Sequence, residues 1–344
     1  MGRGSEMAGW TWSQRGSAIW RAQGALLALA VMLVAVPLAA CGGGGSNKTL
    51  TVGLTYVPNI QFAPFYVAQA KGFYKDAGLD VKLQHHAAGA DEFGALVAGQ
   101  EDVIFGGGDE VLQARSKANG PELVYIAQVF NQYPVALIVP ANSPIQSVAD
   151  LQGHSVGIPG QYGATWIGLL ALLKNAGLAQ SAVNIQSIGF TQLAALSTGQ
   201  VDAVMGYVNN EPVQFQQSGV AIRTFPVTEP LISNGLAALR SQLDKRPDDI
   251  KKFVAATLKG VQYTIDHPDE AFELSKQFVP DLPAGQKDVL TASITLWKAQ
   301  GTQALGVSDP AAWQSMATFL KEQGLLDSQP DLSKIYDASF LPKK

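Results

Sequence analysis

From Leu50 onward the chain alternates apolar and polar positions over Leu50-Thr51-Val52-Gly53-Leu54, the two-residue period of a half-buried strand. A loop follows, then a helical stretch with Pro64 near its start, where a missing N–H costs nothing. Ala77-Gly78-Leu79 ends that helix and Val81-Lys82-Leu83 alternates again as a second strand. A short helix over Phe93 to Ala98 leads through Gly99-Gln100-Glu101-Asp102-Val103 into a third strand reaching Phe105, which completes a β-α-β-α-β unit.

About one hundred residues later the same order returns. Val156-Gly157-Ile158 is a strand, Ala164 to Lys174 a helix, Ala176-Gly177-Leu178 its stop, and Val183 to Ser187 the second strand. Gly199-Gln200-Val201-Asp202 then repeats Gly99-Gln100-Glu101-Asp102 just before the third strand, and each third strand runs into a loop with a polar-acidic pair, Asp109-Glu110 or Asn210-Glu211. Two similar α/β lobes are expected, with mostly parallel sheets whose ligand loops lie at the carboxyl ends of the strands and face each other across a cleft. The apolar, proline-flanked segment 133–144 would carry the chain to the second lobe and 227–233 would bring it back. The rest reads as helices over 248–263, 268–278, 285–299 and 310–322, completing and bracing the first lobe. The expected organisation is 49–138 with 234–344 for lobe 1 and 139–233 for lobe 2.

The first forty residues follow different rules, with Arg3, Arg15 and Arg21 ahead of an apolar run from Ala25 to Ala40. Its sixteen residues, interrupted by Pro37, fall short of the roughly 20 a membrane-spanning helix needs, so residues 1–40 are expected to be an export signal. The run ends in Leu38-Ala39-Ala40-Cys41, which resembles a bacterial lipoprotein box, and Cys41 is the single Cys of the chain, unable to form an internal disulfide. Lipid attachment at Cys41 is therefore expected, followed by a flexible Gly-rich tether over residues 41–48. The whole chain has 24 basic and 28 acidic residues; losing three basic and one acidic with the leader leaves 21 against 27, a formal charge of −6 that disfavours nucleic acid as a partner. With 344 residues, 47% of them apolar, the body is large enough for two globular units.

Pro58-Asn59-Ile60-Gln61-Phe62-Ala63-Pro64-Phe65-Tyr66-Val67-Ala68, continuing through Lys71-Gly72-Phe73-Tyr74 and Ala77-Gly78-Leu79-Asp80-Val81, resembles the opening of the NMT1/THI5-like solute-binding proteins. Asp150-Leu151-Gln152-Gly153, Gly157-Ile158-Pro159-Gly160 and Gly199-Gln200-Val201-Asp202-Ala203 extend the resemblance across nearly all of residues 49–344. The resemblance implies a type II periplasmic-binding-protein fold, two lobes with a ligand cleft between them, and a small heterocyclic or sulfonate-type ligand delivered to the permease subunits of an ABC importer. Tyr56 to Pro64, Pro159-Gly160-Gln161-Tyr162-Gly163 and Gly206-Tyr207-Val208-Asn209-Asn210-Glu211-Pro212 look closest to the family's riboflavin-binding lipoproteins, with thiamin-pyrimidine binders next. Fungal relatives make a pyrimidine with a Cys-rich motif, and that motif is absent here because Cys41 lies in the leader region.

Four loops, 55–62, 106–110, 160–166 and 206–211, should converge on the cleft, and none contains Lys or Arg, which favours a neutral or weakly basic ligand. Tyr56, Phe62, Tyr162, Trp166 and Tyr207 offer planar faces for stacking, with Trp297 as a further candidate from the C-terminal helices, although core or hinge packing is an equal alternative for each. Tyr162, between Gly160 and Gly163 at the start of a helix, is the first choice. Asn59, Gln61, Asp109, Asn209 and Glu211 supply hydrogen-bonding edges, but Asp109 equally suits a helix cap and Glu211, ahead of Pro212, a helix dipole.

No phosphate loop, nucleophile elbow or zinc-protease signature occurs, and the adjacent His85 and His86 would point to opposite faces of a strand, so neither catalytic residues nor a metal is expected. The expected protein is a monomeric, lipid-anchored solute-binding protein on the outer face of the cell membrane that carries riboflavin as its transported ligand and uses no cofactor. A thiamin-type aminopyrimidine is the alternative ligand, and a pyrimidine-forming enzyme on the same fold is the alternative class.

Overall fold

The computed structural model describes residues 49–343 apart from 88, 89, 300 and 302; the leader, the tether and Cys41 lie outside the described residues. The chain begins with β1 (Thr49–Leu54), α1 (Ala63–Ala70), α2 (Phe73–Asp76), β2 (Asp80–His85), α3 (Glu92–Val97), β3 (Val103–Gly107), α4 (Gly108–Ser116) and β4 (Leu123–Gln128). It crosses to β5 (Val135–Pro140), β6 (Ser155–Ile158), α5 (Gly163–Asn175), β7 (Asn184–Ser187), α6 (Gln192–Ser197), β8 (Ala203–Tyr207), α7 (Glu211–Gln217) and β9 (Ile222–Pro226). It returns as β10 (Asn234–Leu239) and ends in α8 (Arg240–Lys245), α9 (Pro247–Asp266), α10 (Pro268–Ser275), α11 (Gln286–Trp297) and α12 (Pro310–Glu322).

Two five-stranded sheets result, ordered β2-β1-β3-β10-β4 and β7-β6-β8-β5-β9. In each, the first three strands are parallel, and the fourth is an antiparallel strand that has just arrived from the other sheet, β10 beside β3 and β5 beside β8. Leu50, Val52 and Leu54 are fully buried on β1, each contributing about 1.5–3 kcal/mol relative to exposure.

The repeated Gly-Gln-x-Asp has the same physical job twice. Gly99 and Gly199 take positive φ, 72° and 71°, ending their helices, and the Asp that follows clasps the neighbouring parallel strand. Asp102 accepts the Thr51 N–H at 2.8 Å, and Asp202 accepts the Ser155 N–H at 2.8 Å.

Two expectations need correction. The segment 133–144 is not a crossing: Val135 to Ile138 are fully buried and pair with β8, so the second sheet starts ahead of the expected boundary at 138 and only residues 129–134 lie between β4 and β5. A short apolar run bounded by prolines is also the pattern of a strand buried on both faces, and here that pattern applies. The C-terminal helices also do more than brace one lobe. Helices α9 and α10 pack on α1, whereas Trp313, Met316 and Leu320 of α12 share a core with Ile167 and Leu170 of α5, and Lys174 pairs with Glu322.

A candidate ligand-binding cleft

The carboxyl ends of the parallel strands of both sheets open onto one cleft, whose empty space including that open to solvent is about 810 Å³. The first lobe supplies Tyr56 after β1, Gln61 and Phe62 from the turn before α1, Phe105 of β3 and Glu110 of α4, and Asn234 lies at the start of β10. The second lobe supplies Tyr162 and the first turn of α5, Phe190 and Gln192 after β7, and Tyr207, Asn210 and Glu211 after β8.

The first-lobe wall is aromatic. Phe62 meets Phe105 edge-on with centroids 5.9 Å apart, Phe105 meets Phe130 at 5.7 Å, and Phe130 reaches Tyr207 of the other lobe at 6.5 Å. His85 holds the loop that carries Tyr56. Burial lowers its pKa and keeps the ring neutral, so Nδ1–H donates to the Tyr56 carbonyl and Nε2 accepts from the Tyr66 hydroxyl, each at 2.9 Å. His86, next along, faces the other way and pairs with Glu101 at 2.7 Å. Tyr56 then crosses the cleft to pack on Phe190, centroids 4.4 Å apart, with its hydroxyl against Asn210 and Glu211.

Glu211 is 5% exposed, with Oε2 accepting the Tyr207 N–H at 2.6 Å and Oε1 accepting from Asn210 Nδ2 at 2.8 Å. Burial raises its pKa to about 7 in spite of these hydrogen bonds. Gly206 leaves the room, since a Cβ there would lie 2.8 Å from Glu211 Cγ. Tyr162 stands at the mouth, 37% exposed, folded over Gly160, where a Cβ would overlap its ring.

Of the expected contacts, Tyr56, Gln61, Phe62, Tyr162, Tyr207 and Glu211 line the cavity. Four others do not. Asn59 caps the turn before α1 by accepting the Gln61 N–H at 3.0 Å. Asp109 is buried beneath the start of α4, where desolvation, partly offset by the Asp109 and Glu110 N–H groups, raises it to about 6; its neighbour Glu110 faces the cavity instead. Trp166 points into the core shared with Ile167 and Leu170, because the fourth position of α5 has already turned away from the cleft that Gly163, Ala164 and Thr165 line. Asn209 donates to Ser293 Oγ at 2.7 Å, tying the second lobe to α11. Trp297 is fully buried behind Phe130.

Phe105, Glu110, Phe130, Phe190, Gln192 and Asn234 escaped the sequence reading. Phe190 and Gln192 had a usable signal, since β7 is a parallel strand and its carboxyl end opens on the cleft like those of β1, β3, β6 and β8. Asn234, 6% exposed with its Oδ1 unpartnered among the described residues, had none, because only the return crossing brings it here. Among the described residues no group of three or more His, Cys, Asp or Glu could hold a metal, and no helix is long and apolar enough to cross a membrane.

The chain is 35% identical over 305 residues, 86% of each chain, to the riboflavin-binding protein RibY of Chloroflexus aurantiacus. It is 26% identical to 4-amino-5-hydroxymethyl-2-methylpyrimidine phosphate synthase of Legionella pneumophila, over 86% of this chain and 93% of that one. The periplasmic aliphatic sulphonate binding protein SsuA of Escherichia coli superposes with a TM-score of 0.69 at 20% identity, over 87% of this chain and 95% of that one, so the fold is that of a two-lobed periplasmic binding protein. With residues 59–271 matching the NMT1/THI5-like description, and the duplicated lobes and shared cleft in place, the chain belongs to the NMT1/THI5-like family.

Proposed function

We propose that this chain is the solute-binding subunit of an ABC importer, that it captures riboflavin between its lobes, and that it catalyses no reaction. The observation that carries this reading is the cavity itself: both lobes line it, aromatic rings dominate it, and no Lys or Arg is among its lining residues. A flavin ring would stack against Tyr162 and the Tyr56–Phe190 pair, while Gln192, Asn234 and Glu211 read its polar edge. The 35% identity to a riboflavin-binding protein supports the same choice.

Capture proceeds by hinge closure, with the crossings 129–134 and 227–233 as the hinge. Tyr56 on Phe190, Asn209 on Ser293, and Gln217 donating to the Gly285 carbonyl at 2.6 Å are contacts of the closed form, and the permease subunits read that form. The closed protein acts as a monomer, held to the outer face of the membrane by a lipid on Cys41; binding needs no cofactor or metal and no nucleic acid takes part.

Titration of the purified protein with riboflavin, read by tryptophan emission, should give saturable one-to-one quenching. An aminopyrimidine is the second reading, favoured by the Glu211 carboxylate, which could accept from an exocyclic amino group. Saturable binding of the pyrimidine with no response to tens of micromolar riboflavin would replace the ligand and keep the binding protein. Product formation from either compound would sink the non-catalytic reading.

A further inference from the structure

In a lobe built from parallel strands and helices, helix N-termini point at the cleft, and their free N–H groups ordinarily welcome anions. In this cavity the protein's own carboxylates take the N–H groups where the third strand of each lobe ends. Glu110, in the first turn of α4, accepts the Gly107 N–H at 2.9 Å through Oε2. Its Oε1 lies 3.9 Å from where a Cβ on Gly163 would sit, so the same carboxylate reaches across the cleft to the first residue of α5.

The second lobe repeats the device. Glu211 accepts the N–H of Tyr207, which ends β8 as Gly107 ends β3, so each lobe turns a glutamate three or four residues further on back to the end of its third strand, and both glutamates line one cavity. No Lys or Arg on the lining offsets them, and the orphaned, buried Asn234 Oδ1 adds another acceptor at the cavity.

We propose that Glu110 is a charge-selecting residue, which together with Glu211 makes the cleft take an uncharged heterocycle bearing N–H or O–H donors and reject the anionic ester of the same compound. The SsuA likeness shows that this architecture does not itself dictate ligand charge, since that protein is named for a sulphonate. The proposal deepens the binding reading of the cleft and rests on it, but does not depend on riboflavin in particular. A phosphate monoester brings about −1.5 to −2 charges at pH 7 into contact with the side chains of Glu110 and Glu211, with no Lys or Arg on the lining to receive it.

The test is a set of titrations of the full protein and of Glu110→Gln, which keeps an acceptor for the Gly107 N–H. The ligands are riboflavin and riboflavin 5′-phosphate, then 4-amino-5-hydroxymethyl-2-methylpyrimidine and its phosphate. In the unaltered protein the parent compound should bind about 100-fold more tightly than its ester or better, and Glu110→Gln should narrow that ratio by about 10-fold, chiefly by raising ester affinity. Equal binding of parent and ester, or a ratio unmoved by Glu110→Gln, overturns the proposal. If only the pyrimidine pair binds, the riboflavin reading fails and charge selection is judged on that pair. If neither pair binds, millimolar methanesulfonate decides: a rise in Tm for Glu110→Gln but not for the unaltered protein upholds selection by Glu110, and identical responses overturn it.

Discussion

The two lobes use one scaffold to opposite chemical ends. Both close their parallel strands with the same Asp clasp, Asp102 on Thr51 and Asp202 on Ser155, and both end the third strand at a glutamate that accepts a strand-terminal N–H. At the surfaces facing the cleft they diverge. The first lobe presents a wall of phenylalanines backed by the fully buried Trp297, whereas the second presents Gln192, Asn210 and Glu211 around Tyr162. Even within the repeat, Glu101 of the first lobe is buried against His86 where the second lobe has Val201. The duplication is thus retained where backbone must be joined, the two glutamates included, and lost in the aromatic and amide side chains that face the cleft.

The largest effect should come from the buried acid of the second lobe. Glu211 titrates near 7 when folded against 4.5 for an ordinary glutamate, so the protonated form is the one folding favours. Its contribution is fully present below pH ~4.5 and is lost as pH rises through ~7, worth about 3 kcal/mol over that window. Urea unfolding at pH 5 and pH 8 should reveal this loss, and Glu211→Gln should flatten it; an equal slope in both proteins would contradict the assignment. Asp202 has the opposite sign, because the Ser155 N–H holds its carboxyl below the usual range and its contribution disappears as pH falls toward acid.

The equivalent glycines sharpen the contrast between lobes. Gly206→Ala must push the Glu211 stem at 2.8 Å and should cost about 1–3 kcal/mol, whereas Gly106→Ala meets the outer edge of the Phe93 ring at 3.0 Å and should cost less. Thermal denaturation of the pair checks the order. Comparable in size but confined to binding, Tyr162→Ala should weaken riboflavin by about 1–3 kcal/mol, some 10- to 100-fold, with Tm nearly unchanged because the ring is exposed. Smallest of all, Asp102→Asn and Asp202→Asn should each cost about 1 kcal/mol, with the screened, half-exposed Asp202 at the lower end.

Legibility in the sequence followed locality. The Gly-Gln-x-Asp repeat, the glycine stops and the helix over 310–322 could be read because capping, turn and period are properties of neighbouring residues. Tyr56, Phe62, Tyr162, Tyr207 and Glu211 could be nominated because they sit just past strands whose carboxyl ends must face a cleft. Asp109 and Glu110 show the limit: adjacent in sequence, one is buried under its helix and the other faces the cavity, a matter of rotation about the helix axis that composition does not encode. The same rotation turned Trp166 into the core, and the partner that claimed Asn209, Ser293, lies 84 residues away.

What the sequence determined alone is therefore the duplicated α/β lobes, the aromatic loops and the lack of cationic side chains in them, since each follows from period, turn chemistry and residue type. Only the tertiary structure decided that residues 135–138 belong to the second sheet, that Asn234 and Phe190 share the cavity, and that a glutamate from each lobe lines it. Those facts depend on which strand is inserted beside which, and that is settled by burying apolar faces from distant parts of the chain against one another.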